Sequence, residues 1–351
     1  MIVTPKINAI LDKALSEQDI NTTEAITLLE INNESFDMYA LASAANTLTR
    51  RQFGNRGEVW AQLGLSLYPC PQNCKFCFFG AEWRLNTEYI EMSVDEAVTK
   101  SVAFEKAGAN GICLMTQANY PWGRYLQIAE AIRKNLSHDM PLVANIGDFG
   151  DEQAKELVSV GFRAIYHLVR LREGKDTGID PKVRLRTIKA ARDAGLLLSY
   201  CIEPIGPEHT PKEIVNEMFR AKDNGAINVA AMWRVPVPGT PMDNLGKISQ
   251  WQLAKVIAVA RIVMGKSIAS MGVHEARPLP LRCGAMQIYA EAGPNPRDTV
   301  WDTESGIGLS VNACKNMLLE AGYEIFYGPS NTFSRSSTAK CNFGGLSDTK
   351  M

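Results

Sequence analysis

The chain has 351 residues, 46% hydrophobic and 21% charged, enough to bury a sizeable core in one large domain or two ordinary ones. A formal net charge of -1 leaves no electrostatic footprint for nucleic acid or for an anionic membrane surface. Charges interrupt the apolar positions of the first residues, MIVTPKINAILDKALSEQD, and no charge-free apolar run is long enough to span a bilayer, so a cytoplasmic protein is expected.

Residues 1–58 carry helical patterns, PKINAILDKAL and TTEAITLLEI, and are expected to form a helical extension packed on the main domain. Over 59–329, apolar runs alternate with amphipathic segments. Strands are expected at 61–68, 111–116, 141–146, 163–169, 196–202, 227–233, 267–271 and 286–290. Helices are expected at 93–107, 123–136, 151–160, 181–194, 211–224 and 249–263. A glycine near the helix end in EKAGANGICLM, ARDAGLLLSY and AKDNGAINVAA fits the left-handed C′ position. Ser93 heads SVDEAV as an N-cap, and Thr210 heads TPKEI with Pro211 at the first helical position and Glu213 three after the cap. Eight strands with intervening helices predict an α/β fold, a (β/α)8 TIM-type barrel with an N-terminal helical cap. The shortest helical pattern lies around 272–290, and no glycine-rich dinucleotide turn supports an open doubly wound sheet instead. Residues 330–351, rich in Ser, Thr and Gly, form a polar tail with too little apolar content for a core of its own.

Three of the eight cysteines fall in YPCPQNCKFCFFGAEW. Cys70, Cys74 and Cys77 follow the first expected strand, on the face where such barrels place their active sites. In a reducing cytoplasm, clustered cysteines are metal ligands or catalytic thiols more often than disulfide partners. Their spacing lets one irregular loop present three sulfurs to a common centre, one ligand short of four, which leaves a position open for chemistry. A structural zinc site would want a fourth Cys or His close by, and the nearest histidine is His138. Core packing is the plainer alternative, but Pro71, Gln72, Asn73 and Lys75 make a poor core strand.

The segment CPQNCKFC resembles the signature of the radical S-adenosylmethionine (SAM) superfamily, with Phe76 at its aromatic position. Over nearly the whole chain the sequence resembles the branch containing biotin synthase, the hydrogenase maturase HydE and methylornithine synthase. KVRLRTIKAARDAG looks like the helix whose arginine meets the SAM carboxylate, and PVPGTPMDN and LRCGAMQI look like the sixth-strand exit and last-strand segments. The resemblance implies one [4Fe-4S] cluster on Cys70, Cys74 and Cys77, SAM on its fourth iron, and Arg184 against the SAM carboxylate. It places Ile202 to Gly206 beside the adenine, Ile205 and Gly206 at the more recognisable positions, while Glu203 and Pro204 depart from the usual small residues. Gln117, Arg170 and Arg172 stand at strand exits on the same face as further cofactor-binding candidates. The implied chemistry is reductive cleavage of SAM, with an electron from a flavodoxin or ferredoxin, to a 5′-deoxyadenosyl radical that removes hydrogen from an unactivated carbon.

Departures from biotin synthase limit that implication. Where its second cluster takes its ligands, this chain reads Val143, Leu198 and Ile268 or Ala269, with only Cys113 surviving; Leu168, Arg170 and Met232 stand where its substrate contacts are polar. Cys201 and Cys283 lie on expected strands and read as small core hydrophobes, and Cys314 supplies a single thiol. The leading expectation is therefore hydrogen abstraction followed by rearrangement, fragmentation or transfer in a cofactor or amino-acid biosynthesis pathway. Sulfur insertion of the lipoyl-synthase or biotin-synthase kind and a noncatalytic iron–sulfur carrier are the alternatives. His274, Glu275 and Arg277, in GVHEARP after the seventh strand, and Tyr166 on the fourth are the candidate catalytic groups. Asn119, Tyr120, Asn145, Asp148, His167 and Arg234 are further polar candidates around the mouth. The many arginines at strand exits suggest a small substrate bearing carboxylate or phosphate, since guanidinium matches planar oxyanions.

Overall fold

The computed structural model describes residues 2–275 and 277–333. Eight parallel strands form the barrel: β1 Arg56–Gly64, β2 Ile112–Met115, β3 Leu142–Asn145, β4 Ala164–Tyr166, β5 Leu197–Ile205, β6 Ala226–Trp233, β7 Ser270–Val273 and β8 Gln287–Ala292. Each pairs with its successor, and β1 returns to β8 in a register running from Glu58 opposite Gln287 to Leu63 opposite Ala292, which closes the ring. Closure leaves no barrel edge exposed.

Three N-terminal helices come first: α1 Pro5–Leu15, α2 Thr22–Leu29 and α3 Phe36–Phe53. Gly54, at φ 71°, turns the chain from α3 into β1. The outer helices are α4 Val94–Ala107, α5 Trp122–Asn135, α6 Asp151–Val160, α7 Pro181–Asp193, α8 Pro211–Asp223, α9 Gln250–Met264, the short α10 Pro278–Arg282, and α11 Val311–Glu320. Ser93 and Thr210 cap α4 and α8 as their sequences predict, each in a capping box with the glutamate three residues on. On the N-terminal side of the barrel, Thr49 and Gln52 of α3 donate to the carbonyls of Gly284 and Ile268, at 2.7 Å each, where the chain enters β8 and β7.

The barrel floor is polar and fully matched. Asn228 on β6 accepts from Ser199 Oγ of β5 at 2.6 Å and donates to Ser270 Oγ of β7 at 2.7 Å and to Gln287 Oε1 of β8 at 2.6 Å. One carboxamide thus ties four strands together, a buried network with every member partnered. Below it, Ser330 Oγ donates to Glu58 Oε2 at 2.7 Å, and Phe333 meets the Trp60 ring edge-on at 5.2 Å. The start of the expected polar tail is therefore packed under the barrel; 334–351, Cys341 among them, lie outside the described residues.

Several boundaries differ from those expected. β1 begins five residues earlier than the apolar run suggests, because GEVWAQLGLSLY crosses two elements: the barrel strand, and a ribbon in which Ser66–Leu67 pairs antiparallel with Ile90–Glu91. β7 starts at Ser270, since Gly265–Ser267 forms a helical turn first. α11, and the short strand Glu324–Ile325 that joins the start of β1, have no counterpart in the expected elements. Among the described residues, no helix is long and apolar enough to cross a membrane.

Candidate active site

Beyond the ribbon, the loop carrying the three cysteines is fastened through its main chain. Cys70 N–H donates to Phe79 O at 2.6 Å, Ala81 N–H to Cys70 O at 3.0 Å and Cys77 N–H to Cys74 O at 2.9 Å. From the loop after β4, Asp176 O accepts from Lys75 N–H at 2.9 Å, and Gly178 N–H donates to Gln72 O at 2.7 Å. Asn73 takes a left-handed φ of 45°, a conformation Asn adopts more readily than most residues, and its carboxamide bridges to Glu82 at 3.0 Å. The loop's path is thereby fixed from both sides while all three thiols line one cavity of about 810 Å³ at the C-terminal end of the barrel.

The thiols share that cavity with Gln117, Asn145, His167, Arg170 and Arg184. Burial pushes the Cys74 thiol up to about 11, with Arg170 opposing and Cys70 and Glu173 adding to the rise; burial raises Cys77 further, aided by Cys74 and Cys70. Crowded thiols stay protonated without a cation, and a bound cation reverses that balance. Among the described residues, no three His, Cys, Asp or Glu side chains already converge at metal-ligand spacing.

Arg184 projects from α7 into the same cavity and is 6% exposed. Its Nη1 donates to Asp148 Oδ2 at 3.2 Å, while its Nε, 3.6 Å from Glu173, makes no hydrogen bond. Asp148 also meets His167 Nε2 at 3.0 Å and accepts from Thr187 Oγ1 at 3.1 Å. Burial would raise the Asp148 carboxyl, but the His167 hydrogen bond and the Arg184 charge outweigh it and hold the pKa at about 2. Burial lowers His167 to about 4, so its ring is neutral near pH 7. A neutral imidazole, a carboxylate and a guanidinium thus form one chain at the cavity wall, with Glu173 on the far side of the guanidinium.

A second chamber of about 700 Å³ adjoins the first, sharing Cys74, Cys77, Asn145, Tyr166 and Arg170 and adding Phe76, Glu203, Met232, Arg234, His274 and Arg297. Tyr166 OH donates to Glu203 Oε2 at 2.5 Å, and Arg170 Nε stands 3.4 Å from Glu203 Oε1. Arg234 is held by Glu208 and by Gly246 O at 3.0 Å. Arg297 pairs with Glu291 and with Glu275 at 3.1 Å. Arg172 turns away from both chambers, onto Glu213 at 2.7 Å beside the start of α8. The expectation of an anionic substrate rested on arginines at strand exits, and Arg170, Arg172, Arg184, Arg234 and Arg297 each already face a carboxylate.

Residues 68–221 match the family described as the Radical SAM superfamily. The chain carries a radical SAM domain. A biotin synthase from Clostridioides difficile (strain 630) is 24% identical over 90% of this chain and 97% of its own length. A biotin synthase from Kocuria rhizophila is 28% identical over 90% and 67%. Among solved structures, the fold is similar to the FeFe-hydrogenase maturase HydG from Carboxydothermus hydrogenoformans, with a TM-score of 0.78 at 19% identity over 95% of this chain and 82% of that one. It is also similar to methylornithine synthase (PylB), with a TM-score of 0.76 at 17% identity over 94% and 99%.

As a radical SAM enzyme, the protein works with a [4Fe-4S] cluster and SAM. The site fits both by its donor set: three thiols on one fastened loop and the Arg184 guanidinium, all lining one cavity. Of the other radical SAM candidates, Gln117 and Arg170 line the cysteine cavity, Phe76, Tyr166 and His274 the adjoining chamber. Glu275 and Arg277 stand with His274 on a third cavity of about 830 Å³ beyond β7. Ile205 and Gly206 are buried at the end of β5 and line neither chamber; a Cβ on Gly206 would stand 2.2 Å from Arg234 Nη1, so a larger residue there would displace the Arg234–Glu208 pair. Asn119 donates to Pro69 O at 3.1 Å, and Tyr120 binds Glu91. Arg297, absent from the sequence candidates, sits in GPNPRDTV after β8, where proline and glycine disguise a half-buried, carboxylate-paired cation as a surface turn.

Proposed function

We propose that this radical SAM enzyme abstracts hydrogen from a small substrate held in the second chamber and that rearrangement, fragmentation or group transfer follows. Cys70, Cys74 and Cys77 would hold the cluster, and Arg184, oriented by Asp148 and His167, would take the SAM carboxylate. Bound together, cluster and SAM supply one-electron cleavage of a carbon–sulfur bond, and with it the means to remove hydrogen from an unactivated carbon. Tyr166, with Glu203 and Arg170, forms the partition between the cysteine cavity and the second chamber, where it would fix the substrate's carbon and keep water away. His274, Glu275 and Arg277 would serve the substrate side, and a small reduced flavodoxin or ferredoxin would supply electrons.

One observation carries the choice against sulfur insertion: among the described residues, only the 70–77 loop brings three thiols to one cavity. Cys113 on β2 and Cys201 on β5 are buried and line neither chamber, Cys283 precedes β8 near the floor, and Cys314 lies on the outer helix α11. Burial raises all four thiols, as expected of core packing. Iron and acid-labile sulfide should be counted after anaerobic reconstitution, beside a variant with Cys113, Cys201 and Cys283 replaced by Ala. About four irons in both supports the proposal; about eight falling to four in the variant means a second, sulfur-donating centre and overturns it.

A further inference from the structure

The charged side chains of the second chamber are already matched. Arg170 and Tyr166 share Glu203, Arg234 is paired with Glu208, and Arg297 lies between Glu275 and Glu291. His274 is the contrast. It is 2% exposed, and among the described residues neither Nδ1 nor Nε2 has a hydrogen-bond partner. Its ring lies flat on Tyr289, centroids 3.8 Å apart and planes 1° from parallel, with Tyr166 edge-on at 6.0 Å. Those two contacts hold the imidazole in place, so its nitrogens cannot reach solvent without giving up ring packing. Burial, and then the charge of Arg297, keep the ring neutral, with one nitrogen donating and the other accepting. A buried donor and a buried acceptor left unmet on one ring are unfavourable unless a ligand meets them.

We propose that the second chamber holds the substrate through an uncharged hydrogen-bonding group, of the carboxamide kind, that meets one ring nitrogen of His274, rather than through a carboxylate or phosphate. This deepens the reading of that chamber as the substrate's place and rests on it. The other uncharged polar side chains of the same wall, Gln62, Asn145 and Asn295, suit such a group. An anion would need a cation drawn from an existing pair, and taking Arg297 would strand the buried Glu291, or taking Arg170 the buried Glu203. A carboxamide asks for no exchange.

The test is binding of two probes of equal length, valeramide and valerate, to the cluster- and SAM-loaded protein labelled with 15N in its histidine rings. The chain has four histidines, so loss of signal in His274→Gln assigns the resonance. Valeramide is expected to shift a ring nitrogen of His274 saturably and to bind at least about tenfold more tightly than valerate. His274→Leu is expected to weaken valeramide about tenfold, the effect of one buried hydrogen bond, with cluster absorbance and SAM affinity retained. His274→Gln, which keeps a donor and an acceptor, is expected to recover most of that loss. Valerate binding as tightly as valeramide, no shift with valeramide, or unchanged valeramide affinity in His274→Leu would each overturn the proposal. Should the Leu variant lose its cluster, the comparison of amide with carboxylate on the unaltered protein decides alone. Binding is read without turnover, so 5′-deoxyadenosine can still form when this proposal fails, which separates it from failure of the radical reading.

Discussion

Replacing Arg184 with alanine isolates the contact that this site offers to the SAM carboxylate. In the structure the guanidinium is buried, spends Nη1 on Asp148 at 3.2 Å and leaves Nε without a hydrogen bond. Losing one charge-assisted contact to a carboxylate costs about 1.5–3 kcal/mol, a factor of roughly ten to a hundred in dissociation constant. Arg184→Ala also uncovers Asp148, which keeps His167 and Thr187, so the helix α7 is expected to stay in place and the cluster to load normally. Calorimetry on cluster-loaded protein should therefore compare SAM with its decarboxylated analogue in both proteins. The expected result is a large preference for SAM in the wild type that collapses in Arg184→Ala, while the analogue binds both alike. If the variant loses affinity for both ligands equally, Arg184 acts on the fold and not on the carboxylate; if it loses none, Arg184 leaves the site.

Cys70, Cys74 and Cys77 changed together to alanine should abolish the brown absorbance of anaerobically reconstituted protein; full iron and sulfide loading in that variant would refute the ligand assignment. The Asp148 cluster gives a pH signature with two windows. His167, lowered to about 4 from the usual 6.5, binds fewer protons folded than unfolded, so its share of stability is lost as pH falls from 6.5 to 4. Asp148, depressed from 3.8 to about 2, contributes stability that is present above 3.8 and lost as pH falls through about 2. Asp148→Asn should flatten the lower window in denaturant midpoints measured from pH 5 to 2, and an unchanged slope would mean that the carboxylate is not held by these partners.

The barrel was legible because its signals are local. Capping residues such as Ser93 and Thr210, glycines at helix ends and period-changing apolar runs fix where elements begin and stop over a few residues. β1 begins earlier than the apolar run suggests because the run continues through the barrel strand into the ribbon, and Gly64 alone marks the break. The cysteine loop was also legible, since its three donors lie within eight residues. The state of the arginines was not. Arg184 meets Asp148 across 36 positions and Arg170 meets Glu203 across 33, so a sequence shows cations at strand exits without showing that each is already neutralised. For the same reason His274 looked like one of a cluster with Glu275 and Arg277, whereas the barrel buries it against Tyr289 and leaves it the chamber's unmatched ring.

The central claim is that this chain uses Cys70, Cys74 and Cys77 with SAM to perform radical chemistry, and one measurement meets it most directly. Anaerobically reconstituted protein should be reduced with dithionite in the presence of SAM, without added substrate, and 5′-deoxyadenosine and methionine quantified beside a Cys77→Ala variant. The expected result is formation of both products by the wild type and none by the variant. Fully loaded wild-type protein that binds SAM yet releases no 5′-deoxyadenosine, or a Cys77→Ala variant that releases as much, would contradict it.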